Sequence, residues 1–170
     1  MLALSRAHDV LTRESWEGAE LSEIVALAVS PYLGTDPARI VTGGPSIRLA
    51  PRMALAIAMA LQELATNAAK YGALSVPEGR LSIQWTQDAD LIRLQWEESG
   101  GPLVVPPLRR GFGSRLIERS LSAELGGEAE ITFAPTGVFC LITARVAPAG
   151  KGPSGTLAWS PKGYVPVDLG

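Results

Sequence analysis

The sequence is short of histidine, cysteine and long apolar runs. His8 and Cys140 are the only residues of their types among 170. A single cysteine excludes a disulfide within the chain, and Cys140 is predicted to pack in a strand as a small apolar side chain. No apolar run approaches the roughly 18 residues of a membrane-spanning helix, and the opening MLALSRAHDV is too polar for a secretory signal. We therefore expect a soluble, cytoplasmic domain without a direct membrane span.

An excess of charge is absent as well. Fifteen basic and 17 acidic residues give a formal net charge of −2, which argues against a nucleic-acid binder that works by bulk positive charge. Hydrophobic residues make up 46% of the chain and charged residues 19%, a balance typical of globular rather than disordered proteins. At this length we expect one domain with a substantial core.

Apolar periodicity predicts both helices and strands. Helical spacing covers residues 2–16, 21–30, 51–71 and 114–125, and strand-like patterns cover residues 39–49, 80–85, 91–97, 128–133 and 138–146. The second and third strand patterns flank the turn QDAD, which predicts an antiparallel hairpin. The mixture favours an α+β fold with helices on one face of a mostly antiparallel sheet.

Two segments are rich in Gly and Pro. ESGGPLVVPPLRRGFG, residues 98–113, is too broken for a regular element and long for a connection inside a compact domain, and such loops are often functional lids. From Ala147 the composition shifts to Pro, Gly and Ser, which predicts a loosely held tail.

A polar stripe follows the most apolar stretch of the chain, MALAIAMAL. Glu63, Asn67 and Lys70 are spaced four and three residues apart, so they share one face of the predicted helix. An amide oxygen can join a magnesium shell filled mostly by water and phosphate. An ammonium group offsets phosphate charge, and a carboxylate can act as a base or orient a water. The stripe therefore fits a phosphate site with a divalent metal, and it fits an ordinary solvated helix face as well.

A carboxylate lies at the end of a predicted strand, in WEESGGP. Glu98 shares its parity with Ile92, Leu94 and Trp96, so its side chain should point to the covered face of the sheet. A buried carboxylate needs a hydrogen-bond donor. The amino group of adenine is one candidate, and the alternatives are an arginine partner or a side chain turned to water.

Two glycines precede a predicted helix in RRGFGSRLI. Gly111 and Gly113 would allow close approach of a phosphate to the exposed N–H groups of a helix that begins near Ser114. A Gly-x-Gly before a helix is also frequently just a turn. The pattern is not the dinucleotide-binding fingerprint, because it does not directly follow a strand, and the chain has no Gly-x4-Gly-Lys-Ser/Thr loop.

In this order the three segments resemble a known family. ELATNAAKYGALS is similar to the N box of histidine-kinase ATP-binding domains, WEESGGP to the first glycine box in its Trp-x-Glu variant, and RRGFGSRLI to the second glycine box. The combination resembles the HWE family of sensor histidine kinases, within the superfamily of gyrase, Hsp90, histidine kinase and MutL ATPases. RAHDVLTRESWEGAEL resembles the segment that precedes this domain, so the resemblance covers about residues 3–146.

The resemblance implies a Bergerat-type two-layer α/β sandwich, with a mixed sheet covered by helices and a flexible ATP lid at about residues 99–112. It assigns residues 1–20 to a lead-in helix from a dimerisation segment, residues 21–146 to the catalytic domain and residues 147–170 to the tail.

The resemblance also implies roles for the polar stripe. Glu63 corresponds to the catalytic acid that assists phosphoryl transfer, and Asn67 to the residue that holds magnesium. Lys70 and Tyr71 lie near the phosphates or the nucleotide.

The other two boxes imply the ends of the nucleotide site. Glu98 binds the adenine amino group and Gly100 shapes that pocket. Gly111, Gly113 and Ser114 form the phosphate end.

The implied activity is transfer of the γ-phosphoryl group of Mg-ATP to a histidine on a dimerisation domain, in cis or in trans, for relay to a response regulator. ATP and Mg²⁺ are the implied cofactors, and the full-length protein is expected to be a homodimer. Two features depart from the family. Gln62 replaces the histidine that precedes the catalytic acid, and His8 lies in the lead-in rather than in a phosphoacceptor motif.

Two other functions stay open. Gln62 and the missing phosphoacceptor are compatible with a degenerate regulatory module that binds nucleotide, or only a partner protein, and transfers nothing. A serine kinase of the anti-sigma type on the same fold is disfavoured by the Trp-x-Glu box and by the RAHDVL lead-in.

Overall fold

The computed structural model describes residues 18–106, 119 and 126–146. The predicted helix at residues 2–16 and the predicted tail lie outside the described residues. So does the predicted helix at residues 114–125, except for Arg119, which is helical.

The described residues form two α-helices and seven strands, joined in places by short 3-10 turns. In chain order they are β1 Ala19–Glu20, α1 Leu21–Val29, β2 Ile40–Gly43, β3 Arg48–Leu49, α2 Pro51–Lys70, β4 Arg80–Asp88, β5 Leu91–Ser99, β6 Glu128–Ala134 and β7 Gly137–Arg145. The 3-10 turns are Ser30–Tyr32, Pro37–Arg39 and Ala73–Ser75. Each helix and strand predicted within the described residues is present, with ends that differ by a few residues.

Five of these strands form one sheet in the order β2-β4-β5-β7-β6. β2 pairs with β4 in parallel, and the other three pairings are antiparallel. β4 and β5 form the predicted hairpin, whose turn contains Ala89 with a positive φ of 52°. β1 and β3 form a separate two-stranded antiparallel sheet that sequence periodicity does not predict, because two residues are too few to show alternation. The predicted mixed, mostly antiparallel sheet is confirmed.

One face of the large sheet packs against α2. The helix buries a stripe of small and aliphatic side chains, namely Met53, Ala54, Ala56, Ile57, Ala60, Leu61, Leu64, Ala65 and Ala68. The sheet contributes Leu81, Ile83, Trp85, Ile92, Leu94, Trp96, Cys140, Ile142 and Ala144 to the same core. The intervening strand residues face away from the helix, as the period of two requires. The fold is thus an α+β sandwich, and Cys140 is buried as predicted.

Pro51 occupies the first turn of α2, where its missing N–H has no helical acceptor to lose. The helix ends at Lys70, and the chain turns through Tyr71 and Gly72 before β4. This rigid, 20-residue helix fixes the position of the polar stripe relative to the sheet. Neither helix in the described ranges is long and apolar enough to cross a membrane.

Candidate functional site

The end of β5 holds the one buried charged side chain among the described residues. Glu98 is only 6% exposed, as its parity with the buried residues of β5 predicts. Its Oε1 accepts a hydrogen bond from the indole Nε1 of Trp96 at 2.9 Å, and its Oε2 accepts one from the backbone N–H of Ala73 at 3.0 Å. The donors are therefore an indole and a backbone amide rather than the arginine considered as an alternative.

Two glycines leave room for the side chain and the backbone of Glu98. A Cβ at Gly72 would overlap Oε2 of Glu98, and a Cβ at Gly137 would overlap the Glu98 carbonyl oxygen. Gly72 has a φ of −111°, so it is not required here for a left-handed helix end. The absence of its side chain lets the segment after α2 lie directly on the Glu98 carboxylate.

Arg39 fixes the segment that supplies the backbone donor. Its Nη2 donates to the carbonyl oxygens of Ala73 at 3.0 Å and Val76 at 2.7 Å. Within the same segment, Ser75 Oγ donates to the Gly72 carbonyl at 2.6 Å. Hydrogen bonds to the Gly72 and Ala73 carbonyl groups thus hold the peptide units on both sides of the Ala73 Cα.

The environment of Glu98 shifts its acidity. Burial raises the pKa of the Glu98 carboxyl above its ordinary value, and this effect is partly offset by the hydrogen bonds from the Ala73 N–H and the Trp96 indole. Both donors favour the charged form, which is the form that only accepts hydrogen bonds. The site therefore presents a carboxyl group that two protein donors keep oriented and whose pKa burial raises.

The predicted polar stripe lies on the outward face of α2. Glu63 is half-buried, whereas Asn67 and Lys70 are exposed, and Tyr71 directly after the helix is 73% exposed. Gln62 is half-buried, and its carbonyl oxygen accepts the Thr66 hydroxyl at 2.8 Å.

The stripe ends beside the buried carboxylate. Only Tyr71 separates Lys70 from Gly72, which packs on Glu98. The structure thus brings the C-terminal end of the stripe and the strand-end carboxylate into one region, with the stripe open to solvent and the carboxylate covered.

The segment after β5 begins with a glycine turn. Gly100 has a positive φ of 67°, and a Cβ there would lie 2.8 Å from the Glu78 carbonyl oxygen, so both the conformation and the space favour glycine. Leu103 and Val105, farther along, are exposed. Residues 107–112 of the predicted lid, together with Gly111, Gly113 and Ser114, lie outside the described residues.

No group of three or more His, Cys, Asp or Glu side chains that could hold a metal is present within the described ranges.

Comparisons with known proteins agree with these features. The family model described as HWE histidine kinase matches residues 1–46. A blue-light-activated histidine kinase of Brucella ovis is 41% identical over 150 residues, which are 86% of this chain and 31% of that protein. The chain thus spans about a third of the length of this curated relative.

Solved structures resemble the fold. The histidine kinase domain of the Erythrobacter litoralis EL346 blue-light activated histidine kinase matches with a TM-score of 0.64 at 16% identity, over 85% of this chain and 72% of that chain. Histidine kinase ThkA, in its complex with the response regulator protein TrrA, matches with a TM-score of 0.58 at 15% identity, over 87% and 48%.

The described residues therefore have the fold of a histidine-kinase catalytic domain. The family resemblance predicted from the three motifs is confirmed as well: the chain is related to the HWE histidine kinases.

Sequence reasoning identified Glu98 but not what surrounds it. The contact between Trp96 and Glu98 could have been predicted, because residues two apart on a strand project from the same face. The contributions of Gly72, Ala73 and Arg39 had no such signal, because they depend on contacts between segments that are 25 to 34 residues apart.

Proposed function

We propose that this chain is the ATP-binding catalytic domain of a two-component sensor histidine kinase. The observation that carries the proposal is the Glu98 carboxylate, buried at the strand end and held by two N–H donors beside the end of the polar helix stripe. In this proposal residues 21–146 form the catalytic domain, residues 99–112 the ATP lid and residues 1–20 the lead-in from a dimerisation segment. The domain would work in the cytoplasm.

Glu98 would recognise the adenine base. A carboxylate has about four lone-pair sites, and the protein uses one on each oxygen, so acceptor capacity remains for the adenine amino group. A hydrogen bond in which the acceptor is ionised is roughly twice as strong as a neutral one. Gly100 would shape the same pocket, because it follows Glu98 by two residues and adopts a left-handed conformation that favours glycine.

The outward stripe of α2 would face the phosphates. Asn67 would supply an amide oxygen to Mg²⁺, and the exposed Lys70 ammonium would offset phosphate charge. Tyr71 would lie near the nucleotide, and Gly111, Gly113 and Ser114 would supply backbone N–H groups at the phosphate end. Mg²⁺, when bound, neutralises charge on the phosphate oxygens. The exposed amide and ammonium fit this role, because neither is committed to packing in the core.

Glu63 would assist transfer of the γ-phosphoryl group to the histidine of a dimerisation domain, in cis or in trans. Its half-buried carboxylate lies one helical turn before Asn67, where it can accept a proton from the attacking group. Phosphoryl transfer depends mainly on positioning and charge neutralisation, which suits a site with few nucleophiles. The phosphoryl group would pass to a response regulator, and the full-length protein would be a homodimer. The complex of ThkA with the response regulator TrrA supports this choice of partner.

Labelled ATP tests the proposal directly. The chain is mixed with a histidine-bearing dimerisation domain from an HWE relative, and phosphohistidine is followed over time for the wild type and Glu63→Gln. Transfer by the wild type that falls by about tenfold or more in the variant is expected. Transfer that is unaffected by the substitution would contradict the role of Glu63.

A second candidate is a regulatory module that binds nucleotide without transferring phosphate, and Gln62 is the observation that favours it. Gln62→His restores the residue of the family pattern next to Glu63. If the wild type binds ATP but transfers nothing, while Gln62→His transfers, the chain is a degenerate kinase. If both transfer at similar rates, the module function is excluded.

A further inference from the structure

We infer that Trp96 is a positioning residue for adenine recognition: its indole N–H orients the Glu98 carboxylate so that the free lone pairs of that group meet the adenine amino group. The inference rests on the proposed function and deepens it, because it explains why a tryptophan precedes the acid by two residues in this site.

Trp96 lies in the hydrophobic core on the covered face of the sheet. It lies in the middle of β5, between Ile83 on β4 and Cys140 on β7, and it is completely buried. Residues two apart on a strand project from the same face, so Trp96 and Glu98 stand side by side. The indole Nε1 reaches Glu98 Oε1 at 2.9 Å.

Trp96 and Glu98 satisfy each other's hydrogen-bonding groups in the protein interior. A buried indole N–H requires an acceptor, and a buried carboxylate requires donors. Ala73 N–H binds the other carboxylate oxygen, so the two donors fix both the rotation of the carboxylate and its distance from the sheet. Phenylalanine at position 96 would fill most of the same space but supply no donor. Both N–H groups also lower the pKa of Glu98 against the effect of burial, which favours the acceptor form.

If the Trp96–Glu98 hydrogen bond were purely structural, replacing Trp96 would change stability alone. If Trp96 positions the carboxylate, replacing it also changes the selectivity between bases. The chain provides a matched control in Trp85, a second buried tryptophan on the same face of the neighbouring strand. Its Nε1 donates to the Pro45 carbonyl oxygen at 2.8 Å, away from Glu98.

The experiment compares the affinities of ATP and purine riboside triphosphate, which lacks the 6-amino group, by calorimetry with Mg²⁺. In the wild type we expect ATP to bind about tenfold or more tightly than the analogue, as for one hydrogen bond to a charged group. In Trp96→Phe this ratio should fall at least about threefold, mainly through weaker ATP binding. Trp85→Phe should retain the wild-type ratio.

Three outcomes overturn the inference. A folded Trp96→Phe with the wild-type ratio shows that the pair is structural, and leaves the proposed function standing because the wild type still binds ATP. An equal fall in Trp85→Phe assigns the effect to general loss of packing. A wild type that binds neither nucleotide overturns the proposed function and the inference together.

If Trp96→Phe does not fold, the wild type itself provides the readout. The indole N–H resonances are assigned by triple-resonance NMR, and the chain is titrated with the two nucleotides. The Trp96 N–H resonance should shift with ATP and much less with the analogue, while Trp85 responds little to either. Equal shifts of Trp96 with both nucleotides would contradict the positioning role.

Discussion

The two halves of the proposed site are built in opposite ways. At the end of β5, Glu98 is buried, and both of its carboxylate oxygens accept hydrogen bonds from the protein. Along α2, the amide of Asn67 and the ammonium of Lys70 face solvent. The orientation of Glu98 is fixed by hydrogen bonds within the protein, whereas Asn67 and Lys70 are exposed side chains on the surface of a helix.

In the proposed function, this difference separates recognition of the base from binding of the phosphates and transfer of the phosphoryl group. A rigid base can be recognised by a carboxylate that is already oriented in the free protein. Because this side chain is ordered before the ligand binds, less side-chain entropy is lost on binding. Phosphates and a hydrated metal ion form a flexible, highly charged group, and exposed polar side chains can adapt to it. Substitutions at the strand end should therefore change stability and base selectivity together, and substitutions of the polar helix residues should change Mg-ATP affinity or phosphoryl transfer with little change in stability.

Glu98→Gln should have the largest effect. The Trp96 and Ala73 N–H groups face different carboxylate oxygens, and glutamine replaces one of these oxygens by an NH2 donor, so one buried N–H loses its acceptor. We expect a loss of about 1–3 kcal/mol in the free energy of unfolding and about tenfold or more in ATP affinity. Urea denaturation and calorimetry measure the two quantities.

Glu97→Gln is the matched control for that substitution. Glu97 is the exposed neighbour on the opposite face of the same strand. Its variant should unfold within about 0.5 kcal/mol of the wild type and bind ATP normally. Equal effects of the two substitutions would contradict the special status of the Glu98 carboxylate.

The pH dependence of the wild type should reveal the buried carboxylate through two opposite trends. Because burial raises the folded-state pKa of Glu98 above its unfolded value, the contribution of Glu98 to stability is fully present below the unfolded pKa and is lost as pH rises through the folded pKa. ATP binding needs the charged acceptor, so affinity should fall as pH is lowered through the same folded pKa. Titration from about pH 8 to about pH 4, which reaches below the ordinary pKa of a glutamate, with Glu98→Gln subtracted, measures both trends. If stability and ATP affinity depend on pH in the same way in the wild type and in Glu98→Gln, ionisation of Glu98 is not the cause of either trend.

Asn67→Ala should weaken binding without affecting the fold. Asn67 is exposed, so the free energy of unfolding should stay within about 0.5 kcal/mol of the wild type. Loss of a magnesium ligand should lower the affinity for Mg-ATP about tenfold, and the difference should vanish when Mg²⁺ is chelated. Gln95→Ala, which removes an exposed amide from the outer face of β5, should leave binding unchanged. A difference that persists without Mg²⁺ would exclude the metal role.

Arg39→Met should have a smaller effect on ATP affinity, because Arg39 acts on Glu98 only indirectly, through the backbone of residues 73–76. It removes the donor to the Ala73 and Val76 carbonyls, and the segment that carries the Ala73 N–H loses its support. We expect about 1–3 kcal/mol of destabilisation and a fall of about threefold in ATP affinity. Arg145→Met breaks only the exposed pair with Asp90 and should cost less than about 1 kcal/mol, with no effect on ATP. Equal losses of ATP affinity in the two variants would contradict the support role of Arg39.

Local patterns were sufficient for most of the fold. The alternation at Ile92, Leu94 and Trp96 predicted β5 and its hairpin with β4, and helical spacing over residues 51–71 predicted α2. The pairing of β1 with β3 was not predictable from two-residue strands, and neither was the parallel pairing of β2 with β4. Such pairings depend on contacts between distant segments, for which a single sequence has no periodic signal.

The candidate site divides in the same way. The spacing of Glu63, Asn67 and Lys70 placed them on one helix face, and the parity of Glu98 predicted its burial. The sequence did not predict which groups donate to Glu98. The adenine amino group was one predicted donor, and the structure shows that the Trp96 indole and the Ala73 N–H already donate to this carboxylate. The contact of Ala73 with Glu98 depends on the lack of a Cβ at Gly72, which local sequence patterns do not reveal.

Calorimetric titration of the chain with Mg-ATP and with Mg-GTP tests the central claim most directly. GTP carries an oxygen acceptor where ATP carries the 6-amino donor, and that oxygen would face the Glu98 carboxylate. We predict that ATP binds and that GTP binds at least about tenfold more weakly. No binding of ATP at millimolar concentration, or equal binding of the two nucleotides, would contradict adenine recognition by the buried carboxylate at the end of β5.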